Sequence, residues 1–398
     1  MPRHRAGSLP VVVGRVGALL GAVAAAGVTL WLLVTYGSSN IDRVLAADMS
    51  WHPDFDTFHR SVVALVNGQS IYDTGASVVN LNPPFWTVLL TPVAPLDVLT
   101  AYRLFGVITV FLVLLAVLLV AWELRAPYWM WWVTAAAVIV SSPLLGTFAL
   151  GQVYGVLAIG LAVAWLTQRR GKPIWAGIAF GLVIAIKPTL APILLLPVVL
   201  RQWSTLRAAV AAGVSATLAG LLVAGPKDTV RWWEVLRAEH LSTFLDNASL
   251  PSLVSRLGGP AWIGFVLGAA ALIFTLRRVR HDPDMALWAV TAATLLFSPV
   301  AWHNYLVLCF PGVIVVLRRR RFATATLLLT MPQIGVEWGF YWQGDSAVDR
   351  IGQSLYFLVL LLYWAALTVK HDGDDPGEVR QPGHLGGTEH RAARTADQ

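Results

Sequence analysis

Two carboxylates open the longest polar stretch that precedes the tail of this apolar chain. Asp54 and Asp56 stand in W-H-P-D-F-D-T-F, near the start of the polar interval 49–85. A positioned carboxylate can act as a general base that accepts a proton from an attacking hydroxyl group. The alternative is a solvated pair that is favoured only by the positive end of a helix dipole. The pair is therefore the first candidate for chemistry, and that chemistry would be proton transfer.

The residues around this pair have the pattern of a short amphipathic helix. Pro53 suits the first helical position, and Asn67 marks an end. Between them, the apolar side chains of Phe55, Phe58 and Val62 recur at spacings of three and four. A helix that buries one face lies flat on a bilayer surface. We therefore expect its first turn at the boundary between water and membrane, where a carboxylate can meet both lipid-borne and water-soluble substrates.

Three basic side chains stand where apolar segments begin or end. They are Arg103 in A-Y-R-L-F-G, Lys187 in I-A-I-K-P-T and His303 in S-P-V-A-W-H-N-Y. Each has an ordinary explanation, since Arg103 and Lys187 can extend to the headgroups and His303 can sit at the interface beside Trp302. An ionisable residue at membrane depth is otherwise a functional-site hypothesis. For Lys187 the ligand would be a lipid phosphate.

Amide side chains complete the set of candidates. Gln152 lies in G-Q-V-Y-G, Asn247 in D-N-A-S, and Asn304 directly after His303. The two glycines around Gln152 are typical of helices that pack closely through small residues. The other interpretation is that Gln152 forms a hydrogen bond with a sugar or a phosphate.

Composition places the chain in the membrane. It has 398 residues, of which 57% are hydrophobic and only 13% are charged, and its mean hydropathy is +0.65. Because soluble domains carry about 25% charged residues, these values predict a polytopic membrane protein. The single cysteine, Cys309, excludes an internal disulfide and a thiol-ligated metal cluster. The net charge of +7 does not indicate nucleic-acid binding, because Lys and Arg lie in short loops between apolar segments.

The apolar segments predict an all-α bundle of about twelve transmembrane helices. These segments are 10–36, 98–122, 128–142, 144–167, 174–187, 189–200, 206–225, 260–278, 284–300, 303–317, 322–340 and 351–370. Lys and Arg favour the cytoplasmic side, so the basic loops place both termini in the cytoplasm. Residues 41–82 then form the first extracytoplasmic loop, and 84–95 form a re-entrant or interfacial segment. We expect one transmembrane catalytic domain over 1–370 and a disordered cytoplasmic tail over 371–398.

This topology collects the polar outliers on the outer side of the membrane. Six separate regions contribute to this set: Asp54 with Asp56, Gln152, Lys187, Asp246 with Asn247, His303 with Asn304, and Glu337. A lipid or solute transporter would also have broken helices and buried charges. It should also show an internal repeat, and the halves 1–200 and 201–398 show none. The convergence of polar groups therefore favours an enzyme over a transporter.

Several familiar site motifs do not occur in the sequence. There is no Walker loop, no H-E-x-x-H and no G-x-S-x-G. Asp54-Phe55-Asp56 superficially resembles the Asp-x-Asp that holds a metal and a nucleotide sugar in soluble glycosyltransferases. Nucleotide sugars are cytoplasmic, however, and this loop is predicted to lie outside. We expect no cofactor, and no metal is demanded, since Lys, Arg and His can neutralise a single phosphate leaving group.

Seven motifs, in their order and spacing, resemble family 87 of the C superfamily of glycosyltransferases (GT-C). The motifs are D-F-D-T-F, N-G-Q-S-I-Y-D, N-P-P-F, G-Q-V-Y, W-A-G-I-A-F-G-L-V-I-A-I-K-P, D-N-A-S and S-P-V-A-W-H-N-Y, spread over residues 50–310. The family is of actinobacterial type and uses polyprenyl-phosphate sugars. It includes mannosyltransferases of phosphatidylinositol mannoside synthesis and arabinofuranosyltransferases of arabinan synthesis. The resemblance implies a GT-C-type bundle in the plasma membrane with an extracytoplasmic active site.

The resemblance also implies a reaction. A sugar, with mannose first and arabinofuranose as the alternative, would pass from a polyprenyl-phosphate donor to a lipid-linked or cell-envelope glycan acceptor. Asp54 has the position of the general base, so the anomeric configuration would invert in one displacement. Lys187 would neutralise the donor phosphate, and His303 would contact this phosphate or the acceptor. The remaining candidates for donor or acceptor binding are Gln152, Asn304, Arg103, Asp56 and Asn247.

Overall fold

All regular secondary structure in the described part of the chain is helical. The computed structural model describes Gly27 and residues 44–238, 241–280 and 282–369. Within these ranges the β-structure is limited to an isolated bridge between Asn247 and Trp302. The prediction of an all-α protein is thereby confirmed. The predicted first span, 10–36 apart from Gly27, and the predicted tail, 371–398, lie outside the described residues.

In chain order the α-helices are α1 (Pro53–Val66), α2 (Pro84–Leu89), α3 (Val98–Glu123), α4 (Tyr128–Ile139), α5 (Ser142–Leu150), α6 (Tyr154–Arg169), α7 (Pro173–Ile186), α8 (Leu195–Val199), α9 (Trp203–Ala238), α10 (Leu250–Arg256), α11 (Ala261–Val279), α12 (Pro283–Phe297), α13 (Phe310–Arg318), α14 (Phe322–Thr330), α15 (Ala347–Gln353) and α16 (Leu355–Thr368). Short 3₁₀ helices lie at Met49–Trp51, Thr91–Val93, Pro188–Leu194, His303–Cys309, Met331–Gln333 and Val336–Tyr341.

The predicted amphipathic helix forms as α1. Pro53 occupies its first turn, and Asn67 follows its last residue. The side chains of Phe55, Phe58 and Val62 are buried, as the spacing predicts. The next helix, α2, has 6 residues and a length of about 9 Å, far below the roughly 30 Å of a bilayer core. The segment 84–95 therefore does not form a spanning helix, in agreement with the prediction.

Long apolar helices match only some of the predicted spans. By length and composition, α3, α9 and α11 are each sufficient to cross a membrane. The pairs α4 with α5 and α15 with α16 are sufficient together but bend by 53° and 69°. The other apolar helices among the described residues are shorter, so the total of about twelve spans stays a prediction.

Five predicted spans are not continuous α-helices. The spans 189–200 and 303–317 begin as the 3₁₀ helices Pro188–Leu194 and His303–Cys309, and 351–370 is divided between α15 and α16 at Ser354. The other two are 144–167 and 322–340. The segment 144–167 is divided, because α5 ends at Leu150 and α6 begins at Tyr154. Gly151 caps α5 with a φ of 74°, a left-handed conformation that ends a helix and that glycine adopts without strain. The segment 322–340 is α-helical only to Thr330 and continues as separate 3₁₀ turns. The long helix α9 also breaks, at Gly225, where the predicted span 206–225 ends.

The core is built around α12 and around close contacts between glycine-bearing helices. Every residue of α12 from Met285 to Leu296 is buried, which is the pattern of a helix surrounded by protein on all sides. Helices α7 and α9 pack along their length. A Cβ atom on Gly181 of α7 would lie 2.3 Å from the carbonyl oxygen of Ala209. Small residues therefore allow the two backbones to approach each other directly.

The predicted basic loops meet at one end of the bundle. Arg170 at the end of α6 forms an ion pair with Glu123 at the end of α3, with 2.9 Å between Nη2 and Oε2. Arg319 after α13 pairs with Asp282 before α12. The opposite end of α3 carries Tyr102, whose ring stacks on His52 just before α1. Because α3 has 26 residues and is about 39 Å long, α1 and the basic loops lie at opposite ends of it.

Candidate functional site

The carboxylate of Asp54 lies in the first turn of α1 and faces the protein interior. Its Oδ2 atom accepts a hydrogen bond of 2.6 Å from Nε2 of Gln152. The preceding residue, Pro53, has no backbone N–H to satisfy, so α1 can begin there without loss of a hydrogen bond. His52 anchors this helix start, since its buried ring interacts through Nδ1 with the carbonyl oxygen of Ala149. Asp54 is thus held at a fixed place against the α5–α6 connection.

The break between α5 and α6 brings Gln152 to Asp54. Gly151 packs against Phe55, and a Cβ atom at Gly151 would lie 2.4 Å from Cβ of Phe55. Gly155, at the other end of G-Q-V-Y-G, packs closely on Thr109 of α3. The helix-packing interpretation therefore applies to the glycines of this motif. The glutamine bonds to Asp54 within the protein, and its hydrogen bond with a sugar or a phosphate stays a prediction.

Burial raises the pKa of the Asp54 carboxyl, while the hydrogen bond from Gln152 and the positive charge of Lys187 act in the opposite direction. A general base is most effective when its pKa lies near the working pH. Desolvation moves this carboxyl toward that range, and its two partners preserve the charged form.

Lys187 lies where α7 ends and a 3₁₀ helix begins at Pro188. The proline has no N–H to continue the helix, so the chain turns at this position. The half-buried ammonium group lies 3.4 Å from Oδ1 of Asn82 and 5.7 Å from the centre of the Tyr305 ring. Its charge also acts on Asp54. The cation therefore lies among the polar residues of the bundle end and close to the candidate base.

Two tyrosines that were not among the sequence candidates lie at the centre of the cluster. The rings of Tyr154 and Tyr305 are 4.3 Å apart, and both are buried. Tyr154 follows the Gln152 break, and Tyr305 ends the motif that contains His303. Both tyrosines are part of the quoted motifs. From sequence alone, however, a tyrosine beside an apolar segment could equally be a site residue or a core residue.

His303 and Asp246 form a second polar pair. Nδ1 of His303 lies 2.9 Å from Oδ2 of Asp246, and the His303 side chain is only 6% exposed. This burial argues against the interfacial position considered for His303. The adjacent Asn304 is fully buried. Asp246 was noted in sequence only as a neighbour of Asn247, so the pairing is a finding of the structure.

Three candidates do not join this cluster. Asp56 forms an ion pair of 2.7 Å with Arg60 and lines a separate surface cavity of about 620 Å³. Arg103 is exposed and makes no hydrogen bond or ion pair with the other described residues between 44 and 369. The Asn247 amide donates to the carbonyl oxygens of Ser242 and Pro299 and accepts from two further backbone N–H groups. Its hydrogen-bonding capacity is fully used within the protein.

The assembled cluster contains a carboxylate, a cation and several hydroxyl and amide groups. In the ranges that the structure describes, no group of three or more His, Cys, Asp or Glu side chains is arranged to hold a metal ion. A half-buried carboxylate with a cation nearby can remove a proton from a hydroxyl group while the cation stabilises a departing anion. Such an arrangement is suited to group transfer from a phosphate ester.

Comparisons with known proteins agree with this chemistry. The chain is 28% identical over 394 residues to the "Polyprenol-phosphate-mannose-dependent alpha-(1-2)-phosphatidylinositol mannoside mannosyltransferase" of Mycobacterium tuberculosis (strain ATCC 25618 / H37Rv), an alignment that covers 85% of this chain and 90% of that protein. It is 27% identical over 312 residues to the "Alpha-(1->3)-arabinofuranosyltransferase" of Corynebacterium glutamicum, with 70% of each chain covered.

The solved structures include a more distant neighbour. ArnT from Cupriavidus metallidurans bound to undecaprenyl phosphate aligns with a TM-score of 0.42 and 17% identity, over 88% of this chain and 78% of that one. The family model described as "Glycosyltransferase family 87" matches residues 80–299, more than half of the sequence. Because this match covers more than half of the sequence, the chain belongs to glycosyltransferase family 87.

Proposed function

We propose that this protein transfers mannose from a polyprenyl-phosphate donor to a lipid-linked or cell-envelope glycan acceptor, with Asp54 as the general base. The observation that carries the proposal is the contact between Asp54 and Gln152 with Lys187 close by, since three separate segments supply these groups. The named mannosyltransferase relative covers a larger share of this chain than the arabinofuranosyltransferase does. Mannose is therefore the first choice, and arabinofuranose is the second.

In the proposed reaction, an acceptor hydroxyl group attacks the anomeric carbon while Asp54 takes its proton. The bond between that carbon and the phosphate oxygen breaks, and polyprenyl phosphate leaves with the electron pair. Attack and departure occur on opposite faces of the sugar, so the configuration inverts. The Lys187 ammonium, held near Asn82 and Tyr305, neutralises the departing phosphate. Because these groups are fixed before the reaction, they need no reorganisation during it.

An apolar groove beside α7 can hold the polyprenyl chain of the donor. This cavity of about 610 Å³ is lined by Phe85, by Ile174, Ile178 and Leu182 of α7, and by small residues of α9. Leu182 precedes Lys187 by five residues, a distance of about 7.5 Å along the helix axis. A phosphate at Lys187 would thus place its lipid tail alongside the groove.

The reaction should take place on the extracytoplasmic side of the membrane. The basic loops gather at one end of the bundle, and Asp54 lies at the other. Since Lys and Arg favour the cytoplasm, both termini would be cytoplasmic and the cluster would face outward. Polyprenyl-phosphate sugars, unlike nucleotide sugars, can be presented there.

A transfer assay on the purified protein tests the proposal. The protein in lipid nanodiscs is given polyprenyl-phosphate mannose, polyprenyl-phosphate arabinofuranose, GDP-mannose or UDP-glucose, together with phosphatidylinositol mannoside as acceptor. We expect transfer from polyprenyl-phosphate mannose, with a product whose anomeric configuration is opposite to that of the donor. If only polyprenyl-phosphate arabinofuranose were used, the transferred sugar would be arabinofuranose instead of mannose. Efficient use of a nucleotide sugar would refute the proposed donor class.

A further inference from the structure

Several buried polar atoms near His303 have no hydrogen-bond partner among the described residues. They are Oδ1 of Asp246 and both amide atoms, Nδ2 and Oδ1, of Asn304. The side chain of Asp246 is 14% exposed, and Asn304 is fully buried. Buried polar atoms in native proteins are nearly always paired, so unpaired ones call for an explanation. A bound ligand rich in hydroxyl groups would supply partners for all three.

The position of Asp246 is fixed by its contact with His303. One carboxylate oxygen is 2.9 Å from Nδ1 of the histidine. On its other side the imidazole lies against Gly146, where a Cβ atom would come within 2.4 Å of Nε2. The ring therefore cannot shift toward α5, and it holds Asp246 in one orientation. The second carboxylate oxygen is left as a free acceptor.

This pair is connected to the candidate base through two buried tyrosines. Tyr154 follows Gln152, the hydrogen-bond partner of Asp54, by two residues, and its ring lies 4.3 Å from that of Tyr305. Tyr305, which contacts Tyr154, follows Asn304 in the chain. The segment with His303 and Asn304 therefore adjoins the segment that binds Asp54, and a sugar bound at Asp54 would lie beside both.

Asn247 provides a direct contrast with Asn304. Both amides are completely buried, and they lie on segments joined by the bridge between Asn247 and Trp302. All the hydrogen-bonding groups of Asn247 are used by the backbone, including a bond of 3.0 Å from the N–H of Ala301. Those of Asn304 are not used. The first amide stabilises the fold, and the second is available to a ligand.

We propose that Asp246, His303 and Asn304 form the subsite that recognises the hydroxyl groups of the transferred sugar. Asp246 accepts a hydrogen bond from one hydroxyl group, and the Asn304 amide binds a neighbouring one. His303 is a positioning residue that orients Asp246. This inference rests on the proposed function and assigns the part of the site that determines which sugar is used. Its ligand is a sugar with free hydroxyl groups.

The test compares two variants on donors that lack single hydroxyl groups. In Asp246→Asn the retained carbonyl oxygen still accepts from His303, but the free acceptor becomes an N–H donor. Asn304→Ala removes the free amide. Each variant and the wild type are assayed with polyprenyl-phosphate mannose and its 2-, 3-, 4- and 6-deoxy analogues, with kcat and KM measured separately. If the wild type uses arabinofuranose, the corresponding deoxy series is used.

We expect each variant to lose roughly ten- to hundredfold in kcat/KM on the complete donor, as for the loss of one buried hydrogen bond. On the one deoxy donor that lacks the recognised hydroxyl group, the variant and the wild type should be nearly equal. This selective equality is what a structural role would not produce. An equal loss on every donor, including all deoxy donors, would overturn the subsite. Absence of transfer by the wild type would instead refute the proposed function.

Melting temperatures provide the matched control for folding. Because the Asn304 amide is unpaired, Asn304→Ala should leave the melting temperature unchanged or raise it. Asn247→Ala should lower it, since four hydrogen bonds to the backbone are lost. If Asn304→Ala lowered the melting temperature as much as Asn247→Ala does, the Asn304 amide would be a structural group and its place in the subsite would be refuted.

Discussion

Asp54 and Asp56 are separated by one residue in α1, yet their carboxylates have different neighbours. Two residues correspond to about 200° around a helix, so the two side chains point to different faces. Asp54 contacts Gln152 inside the bundle, whereas Asp56 pairs with Arg60 at the surface cavity. Under the proposed function, Asp54 is therefore the carboxylate on which the charge of Lys187 acts.

This difference predicts unequal effects of two matched substitutions. Asp54→Asn should lower kcat by about 10²–10⁴, the usual contribution of a positioned base, with donor binding intact. Asp56→Asn should cost less than about tenfold, because an exposed ion pair contributes little. Turnover numbers for both variants in the transfer assay provide the check. If Asp56→Asn were inactive while Asp54→Asn remained active, Asp56 would be the general base. If both variants were fully active, neither aspartate would be the base, and His303 would be the next candidate.

The surroundings of Asp54 also predict a dependence on pH. A base acts in its charged form, so activity is lost as the pH falls through the pKa of the carboxyl. Gln152 donates to the charged form and lowers that pKa, so Gln152→Leu should raise it. In a plot of kcat/KM against pH, the acidic limb should then move to higher pH, and the variant should regain part of its activity in alkaline buffer. Gln69→Leu, which changes an exposed glutamine, should leave the limb in place. An unchanged limb in Gln152→Leu would show that this hydrogen bond does not control the base.

At the scale of helices, the sequence predicts ends that depend on local chemistry. Pro53 and Pro188 mark a helix start and a helix end because proline lacks an N–H, and both are found there. The division between α5 and α6 was not predicted, because the residues on both sides of Gly151 are apolar and read as one span. That break depends on contact with Phe55, which lies about a hundred residues earlier in the chain and leaves no periodic signal.

Gly151 and Gly171 offer a matched test of this break. Both have positive φ angles, 74° and 65°, so alanine at either position should cost about 1–3 kcal/mol of backbone strain. Only at Gly151 would the new Cβ collide with Phe55, whereas Gly171 has open space. Gly151→Ala should therefore displace the turn that carries Asp54 and reduce turnover much more than Gly171→Ala does. Melting temperature and kcat of the two variants measure the strain and the displacement separately. Equal turnover numbers for the two variants would show that the conformation of the turn at Gly151 does not affect catalysis.

At the scale of the whole protein, charge and hydropathy were the most informative signals. They predicted an all-helical membrane protein, and the ion pairs between Arg170 and Glu123 and between Arg319 and Asp282 gather the basic loops at one end. The pairing of His303 with Asp246 could not be predicted from charge or hydropathy. Asp246 precedes it by 57 residues, and a backbone bridge that no local pattern encodes brings the two together.

The orientation of the bundle leads to a labelling prediction. Ser77 is exposed in the loop that follows α1, and the native Cys309 is buried. With Cys309→Ala as background, Ser77→Cys should react with a membrane-impermeant maleimide on intact cells. The physical reason is that, in the proposed topology, the acidic loop faces away from the cytoplasm and the basic loops remain there. A cysteine at Arg201, in a predicted cytoplasmic loop, is the control and should react only after lysis. The reverse pattern would invert the proposed topology.

The bridge between Asn247 and Trp302 has a consequence for exchanging parts between relatives. Asn247 Oδ1 accepts from the N–H of Ala301, and the Ala248 N–H donates to the Ala301 carbonyl oxygen, so two distant segments are tied side by side. Asp246 and His303 are adjacent to this bridge, so the bridge fixes their positions relative to each other. A chimera that takes only one of the segments 241–249 and 298–305 from another family member would mismatch the pair. A chimera intended to change the donor preference should therefore exchange both segments together.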